Sequence, residues 1–268
     1  MIEIKTAAEI EKMRVPGLVV GEILAILRNA VEPGVTPLDI DAIARRELEE
    51  RGATSNFLGY GGFPATACIS VNDVVVHGIP NGVPFRAGDV VSIDFGAVVD
   101  GWHGDAAVTV PVADVSDEVA ALLRACEDSL WAGIAAMQNG GRLRDIGAAV
   151  EDLIHAQGTF GILEEYGGHG IGTAMHQDPH VMNYRTRARG PKLVPGLCLA
   201  VEPMITMGSP QTYTLDDHWT VKTADGSWSA HFEHSIAITE HGPWVLTALD
   251  GGAERLTALG IPTPATTK

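Results

Sequence analysis

Apolar residues recur at helical spacing near the start of the chain. Thr6 and Glu9 make an N-cap and its third-position partner, and Ile10, Met13, Leu18 and Leu24 follow, which predicts a helix over Thr6 to Leu27. Pro16 inside that stretch predicts a kink or a later start. Pro33-Gly34 marks a turn, Leu38 to Arg51 reads as a second helix, and Gly52 closes it. After the Gly-rich loop Gly59-Tyr60-Gly61-Gly62 the period changes from helical to alternating. Thr66 to Val71 and Val74 to His77 read as strands, as do the apolar runs Leu197 to Ile205 and Ser229 to Ile238. Pro203 interrupts pairing in the first of those runs and predicts an edge or a bulge. The polar, Pro- and Thr-rich tail Pro262 to Lys268 is expected to fray.

The pattern repeats. Shifted by 106 positions, Ala30, Gly34, Asp39, Ile40, Ala42, Gly52, Tyr60, Gly61 and Gly62 meet identical residues, from Ala136 and Gly140 to Gly167 and Gly168. Farther on, Gly88-x5-Asp94 aligns with Gly196-x5-Glu202, each a short apolar strand ending in a carboxylate. So long a period excludes a solenoid. It predicts a duplicated helix-helix-strand unit, about 6–110 and 116–240, within a single catalytic domain spanning 1–268. The two halves would share one sheet, with a site on the pseudo-two-fold axis.

One hairpin carries the sharpest prediction. Val90 to Val110 is two β-rich runs around Asp100-Gly101, the strongest short hairpin signal. With the turn centred there, paired residues sum to 201, so Asp105 faces Gly96 on the face that Asp94 also occupies. Diagonal cross-strand neighbours lie roughly 7–8 Å apart at the backbone, within reach of a shared ion. Gly96 leaves room opposite Asp105. Two carboxylates turned into an apolar hairpin cannot both ionise unpaired, and a cation between them removes the conflict. An exposed strand face with two solvated acids is the alternative. Glu202 and Glu233 are single acids in otherwise apolar strands, where a buried glutamate needs a partner. Tyr166-Gly-Gly-His169-Gly-Ile-Gly172 places a histidine in a flexible, glycine-rich loop. Asp94, Asp105, His169, Glu202 and Glu233 form a hard, oxygen-rich donor set suited to two close divalent ions rather than to a thiolate zinc site.

Composition narrows the class without naming it. The chain of 268 residues carries 34 acidic against 18 basic side chains, a net charge of −16, which excludes nucleic-acid binding through the overall field and argues against DNA as a partner. No apolar run is long enough to span a bilayer, since Glu22 interrupts the best candidate, so no membrane partner is expected. The first residues are unlike a signal peptide, and Cys68, Cys126 and Cys198 are too few and scattered for a disulfide framework. A cytoplasmic location and a monomer are the expectation.

The order of motifs is similar to that of the type I methionine aminopeptidases. The motifs are Asp-x10-Asp from Asp94, Gly-Gly-His169-Gly-Ile-Gly, Val-Glu202-Pro and Phe-Glu233-His-Ser. The opening Ile4-Lys-Thr-x-x-Glu-Ile-x-Lys-Met-Arg14, His77-Gly-Ile-Pro80 and Trp219-Thr-Val-Lys-Thr223 resemble that family too, so the likeness runs over residues 2–250. The resemblance implies the α+β pita-bread fold, two pseudo-symmetric halves sharing a curved, mainly antiparallel sheet covered by helices. It implies removal of the initiator methionine from newly made proteins or free peptides by a hydroxide held between two metal ions, favoured by a small second residue. Asp94 would chelate one ion, His169 and Glu202 the other, and Asp105 and Glu233 would bridge both. Glu202 would also serve as general acid/base, and His77 and His176 would hydrogen-bond the substrate amide and the tetrahedral intermediate. The ions would be cobalt, manganese or Fe(II), with zinc or nickel as further choices. Asn72, Val74 and Ser229 resemble a site for one monovalent cation.

Phe57, Tyr60, Phe63, Cys68, Met175 and Trp219 would line the methionine pocket, whose aromatic, Met and Cys character suits a thioether. Phe57, Phe63 and Met175 depart from the usual bacterial residues, and Gly61 and His231 stand where a His and a Gln are common. His103 shares a hairpin face with Asp105 and is either an extra ligand or a bystander. Asp94-Phe-Gly96 copies a kinase triplet without the rest of a kinase, Gly168-x-Gly170-x-Gly172 lacks phosphate-loop spacing, and Pro179 breaks any helix that could pair His176 with His180. A Xaa-Pro peptidase relative normally carries a long N-terminal domain, a type II enzyme needs more than the 31 residues between Glu202 and Glu233, and a metal-free binding protein would lose ligands. For transient contact with a ribosome, the loop Ser209 to His218 holds no Lys or Arg, leaving Arg185, Arg187, Arg189 and Lys192 as the basic cluster.

Overall fold

The computed structural model describes residues 2–264. Two helices open the chain, α1 (Ala7–Ala30) and α2 (Pro37–Glu50). The strands of the first half are β1 (Thr54–Ser55), β2 (Cys68–Val71), β3 (Val74–Val76), β4 (Val90–Val99) and β5 (Trp102–Pro111). The second half opens again with two helices, α3 (Asp117–Ala135) and α4 (Leu143–Gln157). It continues through β6 (Gly161–Ile162), β7 (Gly168–Gly170), β8 (Gln177–Val181), β9 (Cys198–Val201) and β10 (Met204–Thr206). Then come β11 (Thr212–Thr214), β12 (Val221–Thr223), β13 (Ser229–His231), β14 (His234–Thr239), β15 (Gly242–Val245) and the short α5 (Ala253–Ala258). Every strand pairing is antiparallel.

Thr6 caps α1 and Glu9 reaches back to the Thr6 N–H at 2.7 Å, the capping box read from the sequence. The helix begins at Ala7 and runs through Pro16, so the later start is excluded. The Pro16–Gly17 turn is packed directly on the backbone of Gly104 and Leu246, and that contact holds the chain helical where the missing N–H alone would loosen it. The two halves match in local detail. Asp39 accepts from Thr36 N–H at 2.9 Å and Asp145 from Arg142 N–H at 2.8 Å, so both second helices start in the same way. Gly88 and Gly196 both hold the left-handed conformation, with φ of 95° and 92°. Each half has its own core: Ile23, Leu27, Ile40 and Phe95 in the first, Leu122, Ile134, Ile146 and Ile236 in the second.

A seam joins them. Ala107 and Glu233 exchange backbone hydrogen bonds at 3.3 and 2.9 Å, extending the first-half hairpin into the second half. On one side of that bridge the Ser235 hydroxyl donates to Asp105 O at 2.7 Å and accepts from Asp105 N–H at 3.1 Å. On the other side the Thr109 hydroxyl donates to His231 O at 2.7 Å and accepts from His231 N–H at 2.8 Å. Two hydroxyls thus replace backbone groups across the central pair of strands, and the ligand candidates sit on this seam.

Two long strand readings are corrected. Leu197 to Ile205 is broken at Glu202–Pro203 into β9 and β10, and Ser229 to Ile238 is broken at Phe232–Glu233 into β13 and β14. Pro203 lies at neither edge: β9 is flanked by β14 and β7, and β10 by β13 and β6, so the chain changes sheet at the proline. His169 is on strand β7 rather than in a flexible loop. Its glycine neighbours are needed because the carbonyls of Val181, Ala200 and Asp178 approach where side chains of Gly167, Gly168 and Gly170 would lie. The tail packs as far as it is described, with Pro262 O against Gly242 and Thr263 buried; residues 265–268 lie outside the described residues.

Candidate metal centre

The hairpin folds in the register read from the sequence. Asp100 and Gly101 both take positive φ, 50° and 78°, the requirement of the tight hairpin turn, and Gly96 pairs with Asp105. Asp94 pairs with Ala107 on one side and Cys68 on the other. The space opposite Asp105 is not left for an ion, however. A Cβ at Gly96 would collide with the Asn56 carboxamide, which donates to Gly104 O at 3.0 Å and lies 2.9 Å from His103 Nδ1. His103 is thereby held by Asn56, outside the cavity the ligand candidates line.

All five ligand candidates, both non-ligand histidines and all six pocket residues line one cavity of about 280 Å³. Its polar end holds Asp94, Asp105, His169, Glu202 and Glu233. Ligand atoms of Asp105, His169 and Glu233 lie within 4.8 Å of one another, and His169 Nε2 is 3.6 Å from Glu202 Oε1. His169 Nδ1 lies 3.0 Å from Gly170 O; because a carbonyl only accepts, Nδ1 carries the proton and Nε2 keeps its lone pair toward the carboxylates. This is the tautomer of a metal ligand.

The electrostatics state the same need. Burial, the largest cause, raises the Asp94 carboxyl to about 7 and the Glu202 carboxyl to about 8. Burial and then the neighbouring acids push Asp105 and Glu233 well above the carboxylate range. Burial also lowers His169 to about 3. Asp94 Oδ1, Asp105 Oδ1 and Glu233 Oε1 are buried without a hydrogen-bond partner among the described residues. Buried oxygens converging in this way with a neutral imidazole fit divalent cations, which supply both the missing charge and the missing bonds.

The other end is apolar. Phe57, Phe63, Cys68 and Met175 are buried, and Trp219 stands edge-on to Phe63 at 5.2 Å. Gly61, at φ 54°, gives Trp219 its place: a Cβ there would lie 3.1 Å from the indole ring. Tyr60 is half exposed at the mouth, its hydroxyl 2.8 Å from His176 Nδ1. His77 leaves β3 at φ 58°, an uncommon conformation for a side-chain-bearing residue, and packs against Tyr166 and Trp219. Burial lowers its imidazole to about 4, and burial also lowers His176, so both rings are neutral near pH 7.

A second, outer basin of about 620 Å³ shares His77, Asp94, His169, His176 and Glu202 with the first. It adds Tyr166, His180 and His231, none of which the motifs had assigned. His180 is on strand β8 with Pro179, not on a helix with His176. His231 lies two residues before Glu233, but the strand breaks between them, so alternation along the run could not have placed it; its nearness to Glu202 comes from the fold. Of the basic cluster, Arg185 is held by both carboxylate oxygens of Asp152 at 2.8 and 2.6 Å, while Arg187, Arg189 and Lys192 are outside or at the edge of the core. Asn72 O and Val74 O both accept from the Ser229 hydroxyl, at 3.2 and 3.1 Å, which gathers the three proposed monovalent-cation residues.

Comparison with known proteins points the same way. The profile of metallopeptidase family M24 matches residues 11–240. Methionine aminopeptidase 1 of Mycobacterium tuberculosis is 50% identical over 249 residues, 91% of this chain and 94% of that protein. The crystal structure of methionine aminopeptidase from Thermotoga maritima superposes with a TM-score of 0.90 at 39% identity, covering 92% of this chain and all of that one. The Xaa-Pro dipeptidase of Bacillus anthracis shares the fold alone, with a TM-score of 0.70 at 21% identity over 61% of its length. The fold is therefore the α+β pita-bread fold, in two pseudo-symmetric halves.

Proposed function

The chain belongs to metallopeptidase family M24, and we propose that it removes the initiator methionine from newly made chains by metal-dependent hydrolysis of the first peptide bond. It is a metallo-exopeptidase, and relatives at 40–50% identity over nine-tenths of the chain favour this reading over a Xaa-Pro peptidase or a metal-free binding protein. The observation that carries it is a single cavity of about 280 Å³ with a carboxylate–imidazole cluster at one end and an apolar pocket for one side chain at the other.

By the family resemblance Asp94, Asp105, His169, Glu202 and Glu233, which line one cavity, would hold the divalent ions. Bound there, divalent ions lower the pKa of a water toward neutrality and polarise the scissile carbonyl. The chain's own residues do the rest. Phe57, Phe63, Cys68, Met175 and Trp219 take the methionine side chain out of water, and Tyr60 closes the mouth against His176. His77 and His176, kept neutral, present ring nitrogens to the amide and to the charge that develops on its oxygen. Glu202, raised by burial in the metal-free chain, would be kept ionised by neighbouring cations and is placed in the cavity to accept a proton and pass it to the leaving amine. The outer basin, which shares His77, His169 and Glu202 with the cavity and adds Tyr166 and His180, receives the second residue, and the preference for a small one follows from the family resemblance.

Cobalt, manganese or Fe(II) suit the oxygen-rich set, with zinc or nickel as further choices. Asn72 O, Val74 O and the Ser229 hydroxyl are assigned to a monovalent cation. A cytoplasmic monomer of one domain, built by duplication, acting on nascent or free peptides and touching the ribosome transiently through Arg187, Arg189 and Lys192, completes the reading. No described helix is long and apolar enough to cross a membrane. The test is release of methionine from Met-Ala-Ser but not from Met-Lys-Ser, with Glu202→Gln lowering kcat by about 10²–10⁴. Equal cleavage of the two peptides, or an unaffected Glu202→Gln enzyme, would sink it.

A further inference from the structure

We propose that His231 is a sixth protein ligand of the metal centre, a second nitrogen donor to the ion assigned to His169 and Glu202. The inference rests on the five-ligand reading above and extends it. His231 is 2% exposed, and its Nε2 is buried with no hydrogen-bond partner among the described residues. A buried, unpaired ring nitrogen is costly unless something occupies the space in front of it. What lies in front is Glu202: His231 Nε2 is 3.7 Å from Glu202 Oε2, and His169 Nε2 is 3.6 Å from Glu202 Oε1. The carboxylate stands between two imidazoles at nearly equal separations.

Neither separation is a hydrogen bond. Two atoms each about 2.1 Å from one metal lie roughly 3–3.6 Å apart. The His169 separation is at the upper edge of that range and the His231 separation is just beyond it, close enough for a small side-chain adjustment to bring the ring onto a shared ion. His169 is also within 4.8 Å of the Asp105 and Glu233 ligand atoms, whereas His231 reaches the cluster through Glu202 alone, so the inference rests on that carboxylate and on the unpaired ring nitrogen. The ring also opens onto the right space, because the outer basin of about 620 Å³ is lined by His231, His169, Glu202 and Asp94 together.

The backbone keeps it there. His231 N–H and O are both tied to the Thr109 hydroxyl, at 2.8 and 2.7 Å, at the end of β13, which fixes the main chain from which the ring reaches Glu202. Those bonds use only main-chain atoms of His231, so replacing the ring leaves the seam intact. The Gln usual at this position offers at best a weak amide oxygen in place of an imidazole. A second nitrogen moves the donor set toward cobalt, zinc, nickel and iron and away from manganese and magnesium.

The experiment loads the metal-free protein with one equivalent of Co(II) and counts imidazoles per cobalt by X-ray absorption, with calorimetry giving the affinity. Two imidazoles are expected in the wild type and one in both His231→Gln and His231→Leu, with Kd for that ion rising about tenfold or more in each. Melting curves of the metal-free variants check that each is folded. One imidazole in the wild type, or a count and Kd unchanged in His231→Gln, overturns the inference. His169→Ala separates the two readings: if it leaves the imidazole count unchanged, the five-ligand assignment fails. If it removes the single imidazole present, that assignment stands and the role of His231 falls.

Discussion

Asp94 and Asp105 sit inside ten-residue strands paired without interruption, whereas Glu202 and Glu233 each occupy a gap between two short strands. Both halves bring carboxylates to one centre, by different means. In the hairpin the pleat alone fixes which way each aspartate points, and a shift of one residue would turn both away. In the second half there is no continuous ladder at the glutamates. Their direction is set by bonds from outside the strand: the Ala107–Glu233 bridge, and Asn183 Nδ2 donating to Glu202 O at 2.9 Å. Secondary structure holds one pair of acids, and tertiary contact holds the other.

That contrast predicts unequal behaviour, and the largest effect should come from the rigid side. Asp105→Asn removes a carboxylate proposed as a metal ligand from a strand that cannot adjust, so metal affinity and activity should each fall at least about 100-fold. The same change should stabilise the metal-free protein at pH 8, because it deletes one of several crowded buried acids. Calorimetry of metal binding and melting of the metal-free form measure the two halves of this statement. A variant that loses metal and stability together would mean that the cluster is not strained without its ions.

The crowding itself is read by pH. Asp94 and Glu202 titrate near 7 and 8 in the folded protein, against 3.8 and 4.5 ordinarily, so the folded chain keeps protons that the unfolded chain has released. Their stabilisation is complete below the ordinary values and is lost as pH rises through 7 and 8. The depressed histidines His77, at about 4, and His169, at about 3, contribute in the opposite direction, but only below their ordinary value of 6.5. Between pH 6.5 and 8 the acids therefore act alone among these groups. Metal-free protein should lose about 1.4 kcal/mol per pH unit for each acid still protonated. Metal affinity should rise over the same interval, since binding displaces those protons. A flat melting profile of the metal-free form from pH 6.5 to 8 would contradict the assigned crowding.

Next in size is the seam. Ser235→Ala leaves Asp105 N–H and O without their partner in a buried position, which should cost about 1–3 kcal/mol in denaturant unfolding. If tertiary contact holds the second half in place, metal affinity should fall as well, although Ser235 is no ligand. Unchanged affinity beside lost stability would show that the hairpin needs no help from the seam.

The same contrast explains what was legible in the sequence. Asp100-Gly101 fixed the turn, and summing residue numbers then placed Asp105 opposite Gly96, because a regular ladder propagates one local signal over ten residues. Helix starts at Thr6 and Thr36 were legible for a similar reason, since a capping box is local chemistry. The breaks at Glu202–Pro203 and Phe232–Glu233 were not, apart from the warning at Pro203, because they depend on which sheet the chain joins next. Nor was the Asn56 carboxamide beside Gly96, which arrives from 40 residues away in sequence. The motifs located every residue of the inner cavity through resemblance, but the outer basin, with Tyr166, His180 and His231, emerged only when β8, β10 and β13 were in place.

Pro203 offers the smallest and most discriminating change. Either its ring imposes the break beside Glu202, or the break exists because β9 and β10 are claimed by different neighbours. The structure favours the second cause. β9 is held by β14 and β7, and β10 by β13 and β6, while Pro203 O accepts from Phe232 N–H at 3.4 Å and faces the Cys126 thiol at 3.3 Å. None of those bonds needs the ring. Pro203→Ala should then lower stability by only about 0.4–1 kcal/mol, through the freer unfolded chain, and leave metal affinity nearly unchanged. A tenfold loss of affinity with the same modest loss of stability would instead make the proline ring the device that aims Glu202, and the second half would be as locally determined as the hairpin.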